Sequence, residues 1–549
     1  MRTTKKIFLI FLWLNFAQSG FAQVGKPSEG ISEKIFQEHL RFLGSDSLKG
    51  RAPGTKGGNL AAKYLANEFQ KIGLKPIDNN SKYFQFLPLH GSKPLYSSTL
   101  NIEFDSELIT FKLKEDFLMY QSNEPIFIPN LTEMVFVGYG IVANEFDYND
   151  YADVDVEGKI VVFLDGEPAS SDSSYFNGDL PTIYSTPEVK QRIALSRGAK
   201  GSILISDIYS STSYSWDDKI RQFAFENMCL ASTPSTNFDI IINPNIADIL
   251  FTGSSFSLDD ILKMKLTHKL TAFPLHGKLT FQGKVKQRDF VSPNVIGILE
   301  GQYPDLKNSY VLITAHYDHL GIGPAVNGDS IYNGVSDNAA GVSALLELAR
   351  VFSSADIYKK RSIIFALLTC EEFGMLGSEY YIQNPVKPLY KTVANINIDG
   401  IASFDNFKSI VVLGKEFSSL SDLISNVANR QGLKIEEIPK EFRSDNSFAK
   451  SDQFNFAKAG IPSALILDGI DYKNLSKEEG IKKHINYSIN VYHSPFDDSI
   501  QPINFDASLQ HIKLLYDVIN ELVNSDKEPE WNDNSPFKHA RVLSKAKKK

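Results

Sequence analysis

Cysteine is nearly absent: Cys229 and Cys370 are the only two in 549 residues. Two cysteines build neither a disulfide framework nor a Cys-rich zinc site. No Gly-x-Ser-x-Gly occurs, which excludes a serine-hydrolase elbow, and no His-Glu-x-x-His, which excludes that helical zinc motif. A basic surplus is missing as well, with 57 Lys+Arg against 65 Asp+Glu and a net charge of −8. An acidic chain is poorly suited to electrostatic capture of nucleic acid or anionic lipid. Beyond residue 22 no apolar run approaches the roughly 20 residues that span a bilayer. No internal repeat is visible.

What remains is an ordinary globular composition, 42% apolar and 22% charged, long enough for two or three domains. The chain opens MRTTKKIFLIFLWLNFAQSGFAQ. Arg2, Lys5 and Lys6 precede an apolar run at 7–16, and Gly20-Phe21-Ala22 sets small residues at the two cleavage-defining positions. This pattern predicts a secretory signal peptide over 1–22, cut near Ala22. The apolar run is about half the length of a membrane span. The expected product is therefore secreted or periplasmic, without stable membrane insertion.

Helical spacing predicts helices over 31–43 and 59–72, the second closed by Gly73, with the turn Gly50-Arg51-Ala52-Pro53-Gly54 between them. Residues 97–128 alternate like strands. From 125 to 240 short buried-strand patterns (136–140, 159–164, 202–205) surround a Ser/Asp-rich loop at 168–179 and a helix near 187–197. This stretch resembles the protease-associated domain, and a mainly-β insert is expected over 125–240. From 290 on, apolar runs at 294–299, 310–315, 362–369, 392–398, 409–413 and 463–467 alternate with helical patterns at 338–353, 417–430 and 506–524. That alternation predicts an α/β sheet with helices on both faces. A discontinuous main domain is expected over 30–120 and 278–525, and the basic stretch 530–549 is expected to be disordered.

The chemistry-bearing residues sit at the C-terminal ends of those apolar runs, where open α/β sheets bind ligands. His316 ends one run, with Asp318 two residues on, placed to orient an imidazole through its other nitrogen. His319 reads as a loop residue or as support for a ligand. Asp337, in Ser336-Asp337-Asn338-Ala339-Ala340-Gly341, suits either a ligand or a helix N-cap. Glu371 and Glu372 follow a strand, suited to a shared cleft or to a helix dipole. Asp399 ends another run, and His493 lies in Tyr492-His493-Ser494-Pro495. Two His and three carboxylates on separate loops at one sheet edge match a two-metal site. Two divalent ions are balanced by three carboxylates and one hydroxide, and zinc suits such mixed ligands. Glu371 is then left beside Glu372, free to carry a proton.

In these motifs the chain resembles the zinc-dependent M28 metallopeptidases. His-x-Asp, Ser-Asp-Asn-Ala-Ala-Gly, Glu-Glu-x-Gly, Asn-x-Asp and His-Ser-Pro appear in the family's order. The likeness extends to the Gly50–Gly54 turn and to Arg443-Ser444-Asp445 through Gly460-Ile461-Pro462. It implies the mixed, largely parallel sheet of the zinc exopeptidase (phosphorylase/hydrolase-like) fold. It also implies two zinc ions per chain, one on His316 and Asp399, one on Glu372 and His493, with Asp337 bridging. Glu371 would be the general base, Asp318 would orient His316, and the Asp337–Asn338 peptide would be cis. The implied activity is an aminopeptidase acting on peptides. A glutamate-carboxypeptidase type and a receptor-like binding protein on the same fold are the alternatives. One departure is Gln453, where the family often has His after Ser-Asp; it bears on pocket shape and substrate contacts. Oligomeric state is not readable.

Overall fold

The strand Tyr310–His316 is apolar from Val311 to Ile313 and buried on both faces along its whole length. Val311, Ile313 and Ala315 enter one core, while Tyr310 and Leu312 enter another. Side chains alternate along a strand, so a continuous apolar run needs cover on both sides. On one side it comes from helices Glu33–Leu43, Lys56–Ile72, Ala340–Ser353 and Phe505–Asn524, through Phe36, Leu65, Leu345 and Leu515 among others. On the other it comes from Leu376–Gln383 and Gln453–Lys458, through Tyr381 and Phe456. Local signals set the helix ends: Thr55 Oγ1 caps Lys56–Ile72 by accepting Gly58 N–H at 3.2 Å, and Gly73 at φ 87° closes it.

This computed structural model describes residues 27–546 apart from 81, 121, 171, 173, 177, 179–181, 207–214, 355–356 and 443–446. The expected leader at 1–22 and the motif beginning at Arg443 lie outside the described residues. The main sheet has nine strands, in the order Asn227–Leu230, Phe84–Pro94, Val285–Leu299, Ser362–Leu368, Tyr310–His316, Thr392–Asn397, Ser463–Asp468, Ser409–Leu413 and Lys434–Glu436. Its four central strands, from Ser362–Leu368 to Ser463–Asp468, are parallel. The flanking Phe84–Pro94 and Val285–Leu299 pair antiparallel. The fold is thus a mixed α/β sheet with helices on both faces.

A second, eight-stranded sheet is larger than the expected insert. Its order is Glu107–Lys112, Thr99–Phe104, Phe273–Gly283, Ile126–Phe136, Ile160–Leu164, Gly201–Ile205, Phe238–Ile242 and Phe117–Met119. Residues 99–119, assigned from sequence to the main domain, belong here, as does 273–283. Conversely Asn227–Leu230, inside the expected insert, joins the main sheet beside Phe84–Pro94. Alternation marks these segments as strands, but partner choice depends on packing distant in sequence. The two sheets are joined by Phe84–Pro94 and Val285–Leu299, which pair along their whole shared length from Phe84↔Val295 to Pro94↔Val285.

The tail also departs from expectation. Residues 530–546 are ordered: Trp531 is buried and its indole N–H donates to Gly460 O at 2.9 Å. Helix Lys538–Ala546 follows, and buried Arg541 donates to Thr392 O at 2.9 Å. A basic run reads as solvated, yet here the aromatic and one arginine anchor it while Lys538 and Lys545 face outward. Among the described residues no helix is long and apolar enough to cross a membrane.

Candidate metal centre

Parallel pairing aligns the strand ends: His316 lies opposite Leu368, and Thr314 opposite Asn397. The residues that follow, Thr369-Cys370-Glu371-Glu372 and Ile398-Asp399, therefore emerge at one edge beside His316. Cys370 (φ 60°) and His493 (φ 52°) take a left-handed backbone that is uncommon outside glycine and turns each loop sharply into the site. The loop at 333–339 brings Asp337 between them, with the Asp337–Asn338 peptide cis.

Asp337 presents one oxygen to each histidine. Oδ1 lies 3.2 Å from His316 Nε2, and Oδ2 lies 3.2 Å from His493 Nε2. His316 Nε2 is also 3.1 Å from Asp399 Oδ1, and His493 Nε2 is 2.8 Å from Glu372 Oε2. Two triads thus share Asp337. Ligand atoms about 2.0–2.2 Å from a tetrahedral zinc lie roughly 3.3–3.5 Å apart, close to these separations. Among the described residues His493 Nε2 makes no aligned hydrogen bond despite its two near oxygens. His316 Nε2 does bond Asp399 Oδ1, but the atoms around His493 converge on a common point without such a bond, which fits a cation. Mixed imidazole and carboxylate donors suit zinc. The donor groups His316–Asp337–Asp399 and His319–Asp337–Glu372 are each compact enough to hold an ion.

The electrostatics point the same way. Burial, then the charges of Asp399, Asp452 and Glu372 working against His316, push Glu371 well above the usual carboxylate range. Burial lifts Asp318 to about 7 and Asp452 to about 6. Burial disfavours a charged His493, yet Glu372 and Asp337 outweigh it and raise the imidazole to about 10. Glu372 falls to about 2: burial and Asp337 oppose its charge, but His493 and His319 prevail. So much buried negative charge attracts protons or metal cations.

Main-chain bonds hold these loops. Arg51, 1% exposed, donates to Leu43 O (2.6 Å), Tyr317 O (2.8 Å), Asn333 O (2.5 Å) and Gly334 O (2.9 Å). One guanidinium therefore ties the N-terminal segment to the loops carrying His316 and Asp337. Asp497 accepts the N–H groups of Ser336 and Asp337. Asn338 donates to Ile398 O at 2.8 Å and accepts Gly400 N–H at 3.0 Å, joining the Asp337 and Asp399 loops. None of these roles was assigned from sequence, although Arg51 and Asn338 lie within motifs visible there and Asp497 lies two residues past one.

Asp318 meets His316 differently from the sequence expectation. Its main-chain carbonyl lies 3.3 Å from His316 Nδ1, while its carboxylate stands 3.9 Å away and accepts Glu371 N–H at 3.2 Å. Gln453 is fully buried, accepting from Asn397 and donating to Phe448 O, each at 2.8 Å. The departure at 453 is therefore absorbed in packing beneath the strand ends. Tyr492, unassigned from sequence, stacks on His493 with centroids 3.8 Å apart. Partial burial and the charges of Asp337, Glu372, Glu371 and Asp399 keep its phenol protonated.

The family model described as Peptidase family M28 matches residues 294–519. Aminopeptidase YwaD of Bacillus subtilis is 28% identical over 250 residues, covering 43% of this chain and 46% of that protein. A probable leucine aminopeptidase 2 of Aspergillus oryzae is 26% identical, covering 42% of this chain and 44% of that protein. The matches thus span under half the length of these relatives. In structure, the aminopeptidase from Aneurinibacillus sp. strain AM-1 superposes with a TM-score of 0.53 at 18% identity, covering 91% of this chain and 98% of that one, a likeness of fold. Over residues 294–519 the chain is similar to peptidase family M28.

Proposed function

We propose that this protein is an exported, dinuclear zinc aminopeptidase that removes residues from the free N-terminus of peptides. The observation that carries the reading is Asp337, whose two oxygens each face a different histidine at 3.2 Å. His316 and Asp399 would hold one ion, Glu372 and His493 the other, with Asp337 shared. Zinc bound there would supply Lewis acidity, polarising the scissile carbonyl and acidifying a water. Glu371 lies just past the strand Ser362–Leu368, immediately before Glu372, and bonds through its N–H to Asp318. It takes the proton of the attacking water and passes it to the departing amine nitrogen. Tyr492, protonated and stacked on His493, donates its phenolic hydrogen toward the carbonyl oxygen as that oxygen gains charge. Asp318 orients His316 through its carbonyl.

The choice of the N-terminal bond is supported by the relatives, which are named aminopeptidases. Export is supported by the leader pattern at 1–22. The second sheet is read as the family's protease-associated insert. Just before Asn227–Leu230, which joins the main sheet, the ring of Phe225 meets Tyr332 edge-on at 5.0 Å and Glu226 pairs with Arg288.

A panel of short peptides with free or blocked termini, assayed with and without chelator, tests this reading. Chelator-sensitive cleavage that requires a free N-terminus supports it. Dependence on a free C-terminus overturns it in favour of a carboxypeptidase, and zinc binding without turnover in favour of a receptor-like role.

A further inference from the structure

His319 belongs to neither of the two triads that share Asp337, although one of its ring nitrogens lies within 4.8 Å of oxygens of Asp337 and Glu372. It is fully buried, and its Nδ1 lies 2.5 Å from Glu372 Oε1. Glu372 turns its other oxygen, Oε2, to His493 at 2.8 Å. The two oxygens are thus divided, one facing the convergent set and one held from behind. An ionised carboxylate only accepts, so Nδ1 carries the hydrogen and donates it to Oε1. The ring is fixed on its far side by Gly334. A Cβ at that position would come within 2.4 Å of His319 Cγ, and Gly334 itself has φ 60°. Gly334 also accepts a bond from Arg51. The imidazole is therefore wedged between a backbone that only glycine allows and the carboxylate it orients.

We propose that His319 is a positioning residue that fixes the rotamer of Glu372 by donating Nδ1–H to Oε1, so that Oε2 alone is offered to the metal. This rests on the two-zinc reading above. A carboxylate ligand free to rotate would present either oxygen or both. A hydrogen bond from behind selects one, and losing such a partner typically costs about 10–100-fold in metal affinity or activity. His319 Nε2 has no partner among the described residues. The rival role for this residue is direct ligation through that nitrogen.

The test uses the full chain stripped of metal and titrated with zinc by calorimetry, for wild type, His319→Ala and His319→Asn. The Asn amide keeps an N–H near the position of Nδ1. His319→Ala is expected to weaken one of the two zinc sites about 10–100-fold and lower kcat similarly with little change in KM. His319→Asn is expected to recover most of both. Equal zinc affinities in wild type and His319→Ala overturn this proposal alone, whereas fewer than two zincs on wild type overturns the two-zinc reading beneath it. Because either variant could misfold, a zinc-loaded crystal of wild type gives a second reading. His319 nitrogens beyond bonding distance of any ion support positioning, and one at about 2.0–2.1 Å from zinc makes it a ligand and overturns the proposal.

Discussion

The carboxylate of Asp497 accepts the N–H of Asp337 at 3.0 Å, so the loop that carries His493 grips the loop that carries the shared carboxylate. The same side chain accepts Ser336 N–H at 2.9 Å, and its carbonyl accepts Val335 N–H at 3.0 Å. Asp497→Ala is therefore expected to leave buried N–H groups unpaired, at about 1–3 kcal/mol each, and to release Asp337 from its place. Zinc titration together with thermal unfolding checks this. A variant that keeps both the stability and the zinc affinity of wild type would show that Asp497 does not hold the loop.

Arg51 makes a similar case from beneath the site. It is a buried cation, lowered by burial to about 10 despite the opposing charges of Asp318, Asp497, Asp337 and Glu372. Arg51→Lys keeps the charge but lacks the planar fork that reaches four carbonyls. Removing a buried charged partner costs about 3–5 kcal/mol. Arg51→Met should approach that figure in denaturant unfolding, and Arg51→Lys should fall between it and wild type. Two variants within error of wild type would refute the clamp.

Glu371 separates proton transfer from metal binding. Glu371→Gln should retain both zincs while turnover falls by about 10²–10⁴. Metal analysis alongside kcat settles which occurs. Loss of an ion in this variant would move Glu371 into the ligand set.

The second sheet carries its own pH dependence. Buried Asp239 accepts a bond from Ser202 at 2.9 Å, yet burial outweighs that bond and raises the carboxyl to about 6. A folded-state value above the unfolded one favours the protonated form in the fold. The group is therefore neutral in its effect below about pH 4, and it destabilises progressively as pH rises toward 6. Asp239→Asn should raise the unfolding temperature at pH 8, by up to about 2–3 kcal/mol of stability, and leave it unchanged near pH 3.5. An equal shift at both pH values would contradict the assignment.

The residues the structure gathers around Asp337 were legible in sequence because each ends an apolar run or opens a helix, and parallel strands bring such ends together. The shape of Asp337's contacts was not legible, since it depends on which oxygen faces which histidine. Arg51, Asn338 and Asp497 were visible but carried no role, because their partners are main-chain carbonyls and N–H groups, which leave no mark in side-chain identity. His319 was left between loop and support because its partner, Glu372, lies 53 positions away. The strands at 99–119 were recognised as strands and placed within the main domain 30–120, whereas they pair in the second sheet. Trp531 was overlooked in a stretch whose charge suggested solvation, although one buried indole is enough to dock it.

The most direct test of the central claim is zinc per chain, measured on wild type and on Asp337→Ala after exhaustive dialysis against metal-free buffer. A carboxylate shared by two ions predicts two zincs on wild type and a fall at both positions in the variant. Two zincs retained by Asp337→Ala, or none on wild type, would contradict the account.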